Sequence, residues 1–170
     1  MLEKIVNIPV SLYESHQGNY FVGQTKLLCF GNGKNAWGEL FNPCDSRVTL
    51  FVNVITVTNI SEENFLAELW FNSQLPGAGT ISNKVTPSNL TICPKPTPEV
   101  QLKFSEKILG VPDCGINAFD RMIPGQTTIV EEEDGKFIIP PGGNFAVFLA
   151  GRENVTLQAR IAFGWWEERC

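Results

Sequence analysis

The stretch from residue 47 to residue 59, RVTLFVNVITVTN, constrains the fold more than any other part of the chain. Nearly all of its residues are β-branched or aromatic, the types that pack well on a pleated sheet. Successive side chains of a strand point to opposite faces, and apolar residues here occupy both alternating sets of positions. The stretch therefore predicts a central β-strand that is covered on both sides for much of its length.

Shorter stretches repeat this pattern between Gly-, Pro- and Asn-rich turns, with 15 Gly and 11 Pro in the chain. The further predicted strands cover residues 19–30, 36–41, 65–71, 100–104, 107–111, 116–123, 127–132, 136–139, 144–150 and 155–166. Many short strands with little helix are typical of a β-sandwich. We predict an all-β fold: a two-sheet antiparallel β-sandwich of jelly-roll type with an extended N-terminal arm.

Two connections are informative. Residues 59–64 could begin a helix capped by Ser61, but the alternation after Phe65 favours a turn followed by a strand antiparallel to the central one. Asp134-Gly135 predicts a hairpin turn between the strands on either side of it.

Residues 74–98 predict a long, loop-rich segment, which in a compact domain is usually functional or an interface.

The chain divides into an N-terminal arm or connector (residues 1–17), the sandwich (residues 18–168) and a C-terminal tail with a cysteine (residues 169–170). The arm carries apolar side chains, while Pro9 argues against a central strand or a helix interior. An extended segment that pairs with a sheet edge, of its own domain or of a neighbour, fits this pattern; a frayed terminus is the alternative. The candidate assembly residues of the arm are Leu2, Ile5, Ile8, Val10 and Leu12.

The composition limits which kinds of partner the protein can bind. Only 18% of the 170 residues are charged, below the ~25% that is typical. This low fraction is expected of a protein that buries its surface against copies of itself. An ordinary β domain rich in Asn and Thr would have the same composition. The net charge is -5 and there is no Lys/Arg cluster, which argues against nucleic acid. No signal peptide and no membrane span are predicted. We expect synthesis in the cytoplasm, with release to the spore or cell surface by lysis or dedicated export.

Five cysteines are present, and none forms a C-x-x-C pair. Because the number is odd, at least one remains free or bonds to another chain. The candidates for disulfides between subunits are Cys29, Cys44, Cys93, Cys114 and Cys170. Cys170 is the most natural intermolecular candidate because it is the last residue. Reduced thiols in a cytosolic protein are the alternative.

The sequence offers no constellation for catalysis. His16 is the only histidine and lies on the arm, and no nucleophile elbow, phosphate loop or dinucleotide fingerprint occurs. The acidic run Glu131-Glu-Glu-Asp134 lacks the spacing of a calcium loop and indicates a solvated turn. We therefore expect no enzyme activity, no metal site and no cofactor.

The tryptophans are candidates for a surface role. Trp165 and Trp166 are adjacent, so in a strand one faces the core and the other the outside. An exposed Trp would suit an interface or a sugar ligand. Core packing is the expectation for Trp37 and Trp70.

Four segments together carry a resemblance: NAWGELFNP (35–43), LFVNVITVTN (50–59), KFIIPPGG (136–143) and ARIAFGWWEE (159–168). They resemble an uncharacterised protein family of spore-forming Gram-positive bacteria, over about residues 31–168. The chain also resembles, in outline, the jelly-roll subunits of endospore appendages. That resemblance implies strand addition, an N-terminal connector and disulfides between subunits, although those connectors carry cysteine near the N-terminus and the first cysteine here is Cys29.

The function predicted from these observations is structural: a self-assembling subunit of an extracellular fibre or spore-surface appendage, joined by arm exchange and disulfides to copies of itself. The alternative is a β-sandwich module that binds carbohydrate or decorates a spore coat or phage virion.

Overall fold

The computed structural model describes residues 5–170. The single helix is α1 (Val10–Gln17). The strands are β1 (Tyr20–Gln24), β2 (Leu28–Gly31), β3 (Asn35–Phe41), β4 (Val48–Asn59), β5 (Phe65–Phe71), β6 (Thr80–Ile81), β7 (Val85–Pro87), β8 (Gln101–Ile108), β9 (Ile116–Ile123), β10 (Thr128–Ile139), β11 (Asn144–Ala150) and β12 (Thr156–Arg169). Within these residues no helix is both long and apolar enough to cross a membrane.

Two antiparallel sheets pack face to face around one apolar core. The first has the order β10-β4-β12-β1-β7, with β2 also paired to β12, and the second has the order β6-β8-β3-β11-β5-β9. Without β2 and β6–β8, the order β10-β4-β12-β1 lies opposite β3-β11-β5-β9, which is the winding of a jelly roll. The predicted all-β antiparallel sandwich is confirmed.

The loop-rich segment between β5 and β9 extends both sheets. β7 adds to the first sheet beside β1, and β8 adds to the second sheet beside β3. The short β6 then pairs with β8. Within the predicted loop-rich segment 74–98, β7 therefore covers the edge of β1 and β6 covers part of β8. The edge of β3 is covered by β8, which lies outside that segment.

The stretch that opened the sequence analysis forms β4, which lies between β10 and β12 as a central strand. Its buried positions change phase: Val48, Leu50 and Val52 face the core, and then Ile55 and Val57 do. The pairing with β12 shifts register at this point, so a bulge keeps apolar side chains inside. The side chains on the opposite face of β4 are only half-buried, so one face is fully covered and the other is covered less than predicted.

Two predicted hairpins are absent. β5 is a strand, as predicted, but it pairs with β11 and β9 in the second sheet and not with β4; residues 60–64 are a corner between the sheets. Asp134 and Gly135 have φ of 52° and 73°, yet they lie inside β10, which pairs with β4 on both sides of them. Their left-handed backbone makes a bulge here, with no chain reversal.

The N-terminal arm is not extended throughout. Residues 10–17 form α1, and Pro9 precedes its first turn, where the carbonyl of Pro9 accepts hydrogen bonds from the amides of Leu12 and Tyr13. Proline is tolerated at this place because the first turn of a helix needs no amide donor. Gly18 ends the helix with φ of 83°. Of the described residues of the arm, 5–9 form neither helix nor strand, and the candidate residue Leu2 lies outside the described residues.

Candidate association surface

Two sheet edges lie side by side along one side of the sandwich. β9 is an edge of the second sheet and β10 is an edge of the first. The rings of Phe119 and Phe137 stack between them with centroids 6.0 Å apart. The guanidinium of Arg121 donates two hydrogen bonds to the carboxylate of Glu131. These contacts hold the two edges together and leave the outer backbone of each strand without a neighbouring strand in the described chain.

The sheet edges in the described chain differ in how well they are protected. β2 has only four residues, and β8 is partly covered by β6. β6 has two residues, and β7 has three and includes Pro87, so neither offers a long ladder to another chain. β10 is long but carries the acidic run 131–134 and a bulge, both of which discourage edge pairing. β9 has eight residues, no proline and no acidic run. Its pairing with β5 also shifts register, at Ala118, so the acidic run and not the bulge distinguishes β10 from β9. Among the edges, β9 is the one best able to accept an added strand.

Exposed apolar side chains are concentrated at two places in residues 5–170. One is the N-terminal segment with α1, where the exposed residues are Ile5, Val6, Ile8, Val10, Leu12 and Tyr13. The other is the pair of edges, where they are Ile116, Phe119, Met122, Val130 and Ile138. Single exposed apolar residues are normal, but grouped ones mark contact surfaces.

The two edges also differ in charge. β9 carries Asp120 and Arg121, which offset each other, whereas β10 carries four consecutive acidic residues. Burial, and then repulsion from Glu131, raise the pKa of Glu133. An added strand would meet less electrostatic resistance at β9, and the acidic run lies on the other edge.

The N-terminal segment, residues 5–9, is the candidate for a strand added to this edge. Residues 5–9 form neither helix nor strand. Ile5 is 90% exposed and Val6 is 66% exposed. Val10 and Leu12, the other candidate arm residues described, lie on α1 and are also exposed. The segment is thus apolar and lies in solvent within the isolated chain.

The five cysteines are all free thiols, and no disulfide joins them within residues 5–170. Cys44, Cys93, Cys114 and Cys170 are exposed, and Cys29 is half-buried. Cys114 lies two residues before β9. The amide of Cys170 donates to the carbonyl of Arg47, so the predicted tail continues along β4 beyond the end of β12. No three His, Cys, Asp or Glu side chains come together as a metal-binding group in the described chain.

The predicted surface tryptophans are both buried. Alternation holds, because Trp165 packs in the core and Trp166 lies on the opposite face. However, Trp166 is only 3% exposed, because its ring stacks on Phe51 at 5.1 Å and the β10 bulge covers it. The prediction that one of the pair is exposed as a surface aromatic is wrong. Trp37 is buried, but on the outer face of the second sheet, and Trp70 is half-buried, so neither packs in the core between the sheets as expected.

Sequence reasoning identified β9 as a strand but missed that it is an edge, and so missed Ile116, Phe119 and Met122 as surface residues. The available signal was the sequence INAFDRMI, in which apolar and charged residues do not separate cleanly onto two faces. Such a pattern is common in strands that lack a neighbour on one side.

Fold and surface together define an all-β protein: a jelly-roll sandwich with one unprotected edge and an apolar N-terminal segment. The chain matches the model of a family of unknown function, DUF6143, over residues 1–170, and it belongs to that family. No curated protein and no solved structure matches it.

Proposed function

We propose that this protein is a structural subunit that self-associates, and that the N-terminal segment of one copy adds as a strand to β9 of the next. The observation that carries the proposal is the unprotected edge of β9 with its exposed Ile116 and Met122. An exposed edge presents a row of free backbone donors and acceptors, and β-strand addition satisfies them.

The donor and acceptor surfaces belong to different parts of the chain, so the contact is heterologous. Each copy would keep one free donor segment and one free β9 edge after pairing. A heterologous contact that does not close into a ring continues as a filament. The proposed product is therefore a fibre or a surface layer built from copies of this chain.

Cysteines would reinforce such an assembly after the strands pair. Four of them are exposed and have no disulfide partner in the described chain. Cys114 lies two residues before the proposed acceptor strand. Disulfides between copies would form only where two thiols meet at the contact, since the bond tolerates Cα separations of roughly 4.4–6.8 Å. Placement on a spore surface or appendage rests on the resemblance of the sequence described above.

Sedimentation velocity of the reduced protein over a range of concentrations tests the proposal. Three variants are compared: deletion of residues 1–8, the double substitution Ile116→Lys with Met122→Lys on the edge, and Leu90→Lys as a control. Leu90 is 74% exposed and lies in the loop that follows β7, a strand of the other sheet. Wild type and the Leu90→Lys variant should associate as concentration rises, while the deletion and the edge variant remain monomeric. A monomeric wild type, or association that survives both changes, would contradict the proposal.

A further inference from the structure

A polar cavity of about 250 Å³ lies on the outer face of the second sheet. Its floor is formed by alternate residues of β3, together with Lys103 of β8 and Asn144 of β11. Its cover is the chain just after β5, including Ser73 and Gly77. The indole of Trp37 donates to the carbonyl of Pro76 at 2.8 Å, and this bond holds the cover on the sheet.

Three polar side chains in this cavity are more than nine-tenths buried. Glu39 is 7% exposed, Ser73 is 6% exposed and Asn144 is 8% exposed. The outer face of a sheet does not require buried polar groups for packing, and burying them costs free energy unless they are hydrogen-bonded. Their presence together indicates a site built for polar contacts.

Asn144 organises the site. Its Nδ2 donates to Glu39 Oε2 at 2.7 Å and to the carbonyl of Ser73 at 2.9 Å. Its Oδ1 accepts from the amide of Ser73 at 3.0 Å. Every hydrogen-bonding atom of the Asn144 amide is therefore used, and the side chain fixes both Glu39 and the cover in position.

Two atoms of the cavity keep unused hydrogen-bonding capacity. Glu39 Oε1 receives no hydrogen bond from residues 5–170. The hydroxyl of Ser73 is buried and has no partner in the same part of the chain. The Ser73 hydroxyl is fully enclosed, so a molecule in the cavity does not reach it. Glu39 Oε1 is accessible from the cavity and can accept a hydrogen bond from a molecule there.

Lys103 supplies the complementary charge. It lies directly opposite Glu39 in the β3–β8 pairing. Its ammonium lies 3.7 Å from the centroid of the Phe41 ring, and in the described chain it forms no ion pair with Glu39. The cavity therefore offers an acceptor at Glu39 and a donor at Lys103, which a ligand can bridge.

We infer that this cavity binds one ring of a neutral polyhydroxylated ligand, a monosaccharide unit, between Glu39 and Lys103. A hydroxyl group both donates and accepts, so adjacent hydroxyls can donate to the Glu39 carboxylate and accept from the Lys103 ammonium. A neutral ligand also adds no net charge to a buried site. A cavity of about 250 Å³ has room for one sugar ring.

An NMR titration of the full chain tests this inference. The probes are D-glucose, D-galactose, D-mannose and N-acetyl-D-glucosamine at millimolar concentrations, with glycine as a zwitterionic comparison. The reporters are the side-chain amide of Asn144 and the indole N–H of Trp37. At least one sugar should shift both signals saturably, and glycine should not.

Two site variants and one control make the test specific. Glu39→Gln and Lys103→Gln should each weaken sugar binding, the former by at least about tenfold because a charge-assisted hydrogen bond is lost. Glu106→Gln changes a carboxylate on β8 that pairs with Lys26 outside the cavity, and it should leave binding unchanged. If Glu39→Gln disturbs the spectrum of the free protein, Lys103→Gln alone tests the site. No shift with any sugar, equal shifts with glycine, or binding that survives the site variants would overturn the inference.

Discussion

Gly135 lies against the indole ring of Trp166, so closely that a β-carbon at position 135 would overlap Cη2 of that ring. The bulge in β10 places the glycine there with φ of 73°. On its other side the indole stacks on Phe51, with ring planes inclined by 3°. The bulge in β10 therefore covers Trp166 and buries its indole ring on the outer face of the first sheet.

Gly135→Ala should destabilise the protein by about 3 kcal/mol, since it combines overpacking against Trp166 with a left-handed backbone that alanine disfavours. Gly110→Ala is the matched control: Gly110 has φ of 91°, but a β-carbon there would meet only Pro76 at 3.4 Å. The control should cost about 1 kcal/mol. Urea denaturation measures both, and equal losses would show that Trp166 does not constrain position 135.

Asn59 closes the corner between the two sheets. Its Nδ2 lies 2.8 Å from the carbonyl of Glu63, 3.3 Å from that of Ile123 and 3.1 Å from that of Pro124. Asn59→Ala leaves these acceptors without their donor and should lower the free energy of unfolding by about 2–4 kcal/mol.

Asn117→Ala is the control for Asn59, because the Asn117 amide donates only to Asp120 on the exposed face of β9. It should change the free energy of unfolding by less than about 0.5 kcal/mol. Losses of similar size in the two variants, measured by urea denaturation, would argue against a structural role for the corner asparagine.

Two buried glutamates, Glu39 and Glu167, should make the free energy of unfolding depend on pH. Burial raises the pKa of Glu39, and hydrogen bonding from Asn144 and the charge of Lys103 offset only part of this effect. Burial likewise raises the pKa of Glu167, although Trp165 and two backbone amides donate to it. A raised folded-state pKa means that the folded protein binds the proton more tightly than the unfolded chain. The resulting stabilisation is complete below the ordinary value of 4.5 and is lost as pH rises through the raised pKa.

Glu39→Gln removes one of these titrating groups, so wild type should lose stability relative to the variant as pH rises above 4.5. The comparison with the variant is needed because Glu106 acts in the opposite direction. Burial tends to raise the pKa of Glu106, but hydrogen bonding from Lys26 and from the amide of Cys29 outweighs it and lowers the pKa. Urea denaturation across the acid-to-neutral range measures the difference, and a difference that does not change with pH would contradict the assignment to Glu39.

Thiol labelling should distinguish Cys29 from the other cysteines. Cys44, Cys93, Cys114 and Cys170 are exposed, while Cys29 is half-buried. A brief pulse of a thiol reagent on the reduced native protein, followed by peptide mass spectrometry, should modify the four exposed residues before Cys29. Labelling of Cys29 at the same rate as in urea would show that β2 opens readily.

Local patterns were sufficient to predict most strands. Alternation identified β4, β5 and the first part of β8 because it depends only on neighbouring residues. The pairing of β5 with the other sheet was not predictable, since residues 60–64 could form a corner as well as a hairpin. The Asp134-Gly135 pair has the backbone of a turn, but the pairing partner β4 decides between a turn and a bulge.

Features of the surface depended on contacts distant in sequence. The edge position of β9 follows from the order of all six strands in its sheet, which no local pattern records. The polar cavity joins Glu39 to Asn144 across 105 positions of the chain. The start of α1 after Pro9 was missed for a local reason: proline was weighed as a helix breaker when it also suits the beginning of a helix.

Negative-stain electron microscopy of the concentrated protein tests the central proposal most directly. Wild type and a form lacking residues 1–8, which leaves α1 complete, are compared with and without reductant. Strand addition at β9 predicts filaments or sheets of wild type, none of the deleted form, and resistance of the assemblies to heat only when reductant is absent. A uniform field of small particles in every condition would contradict the account.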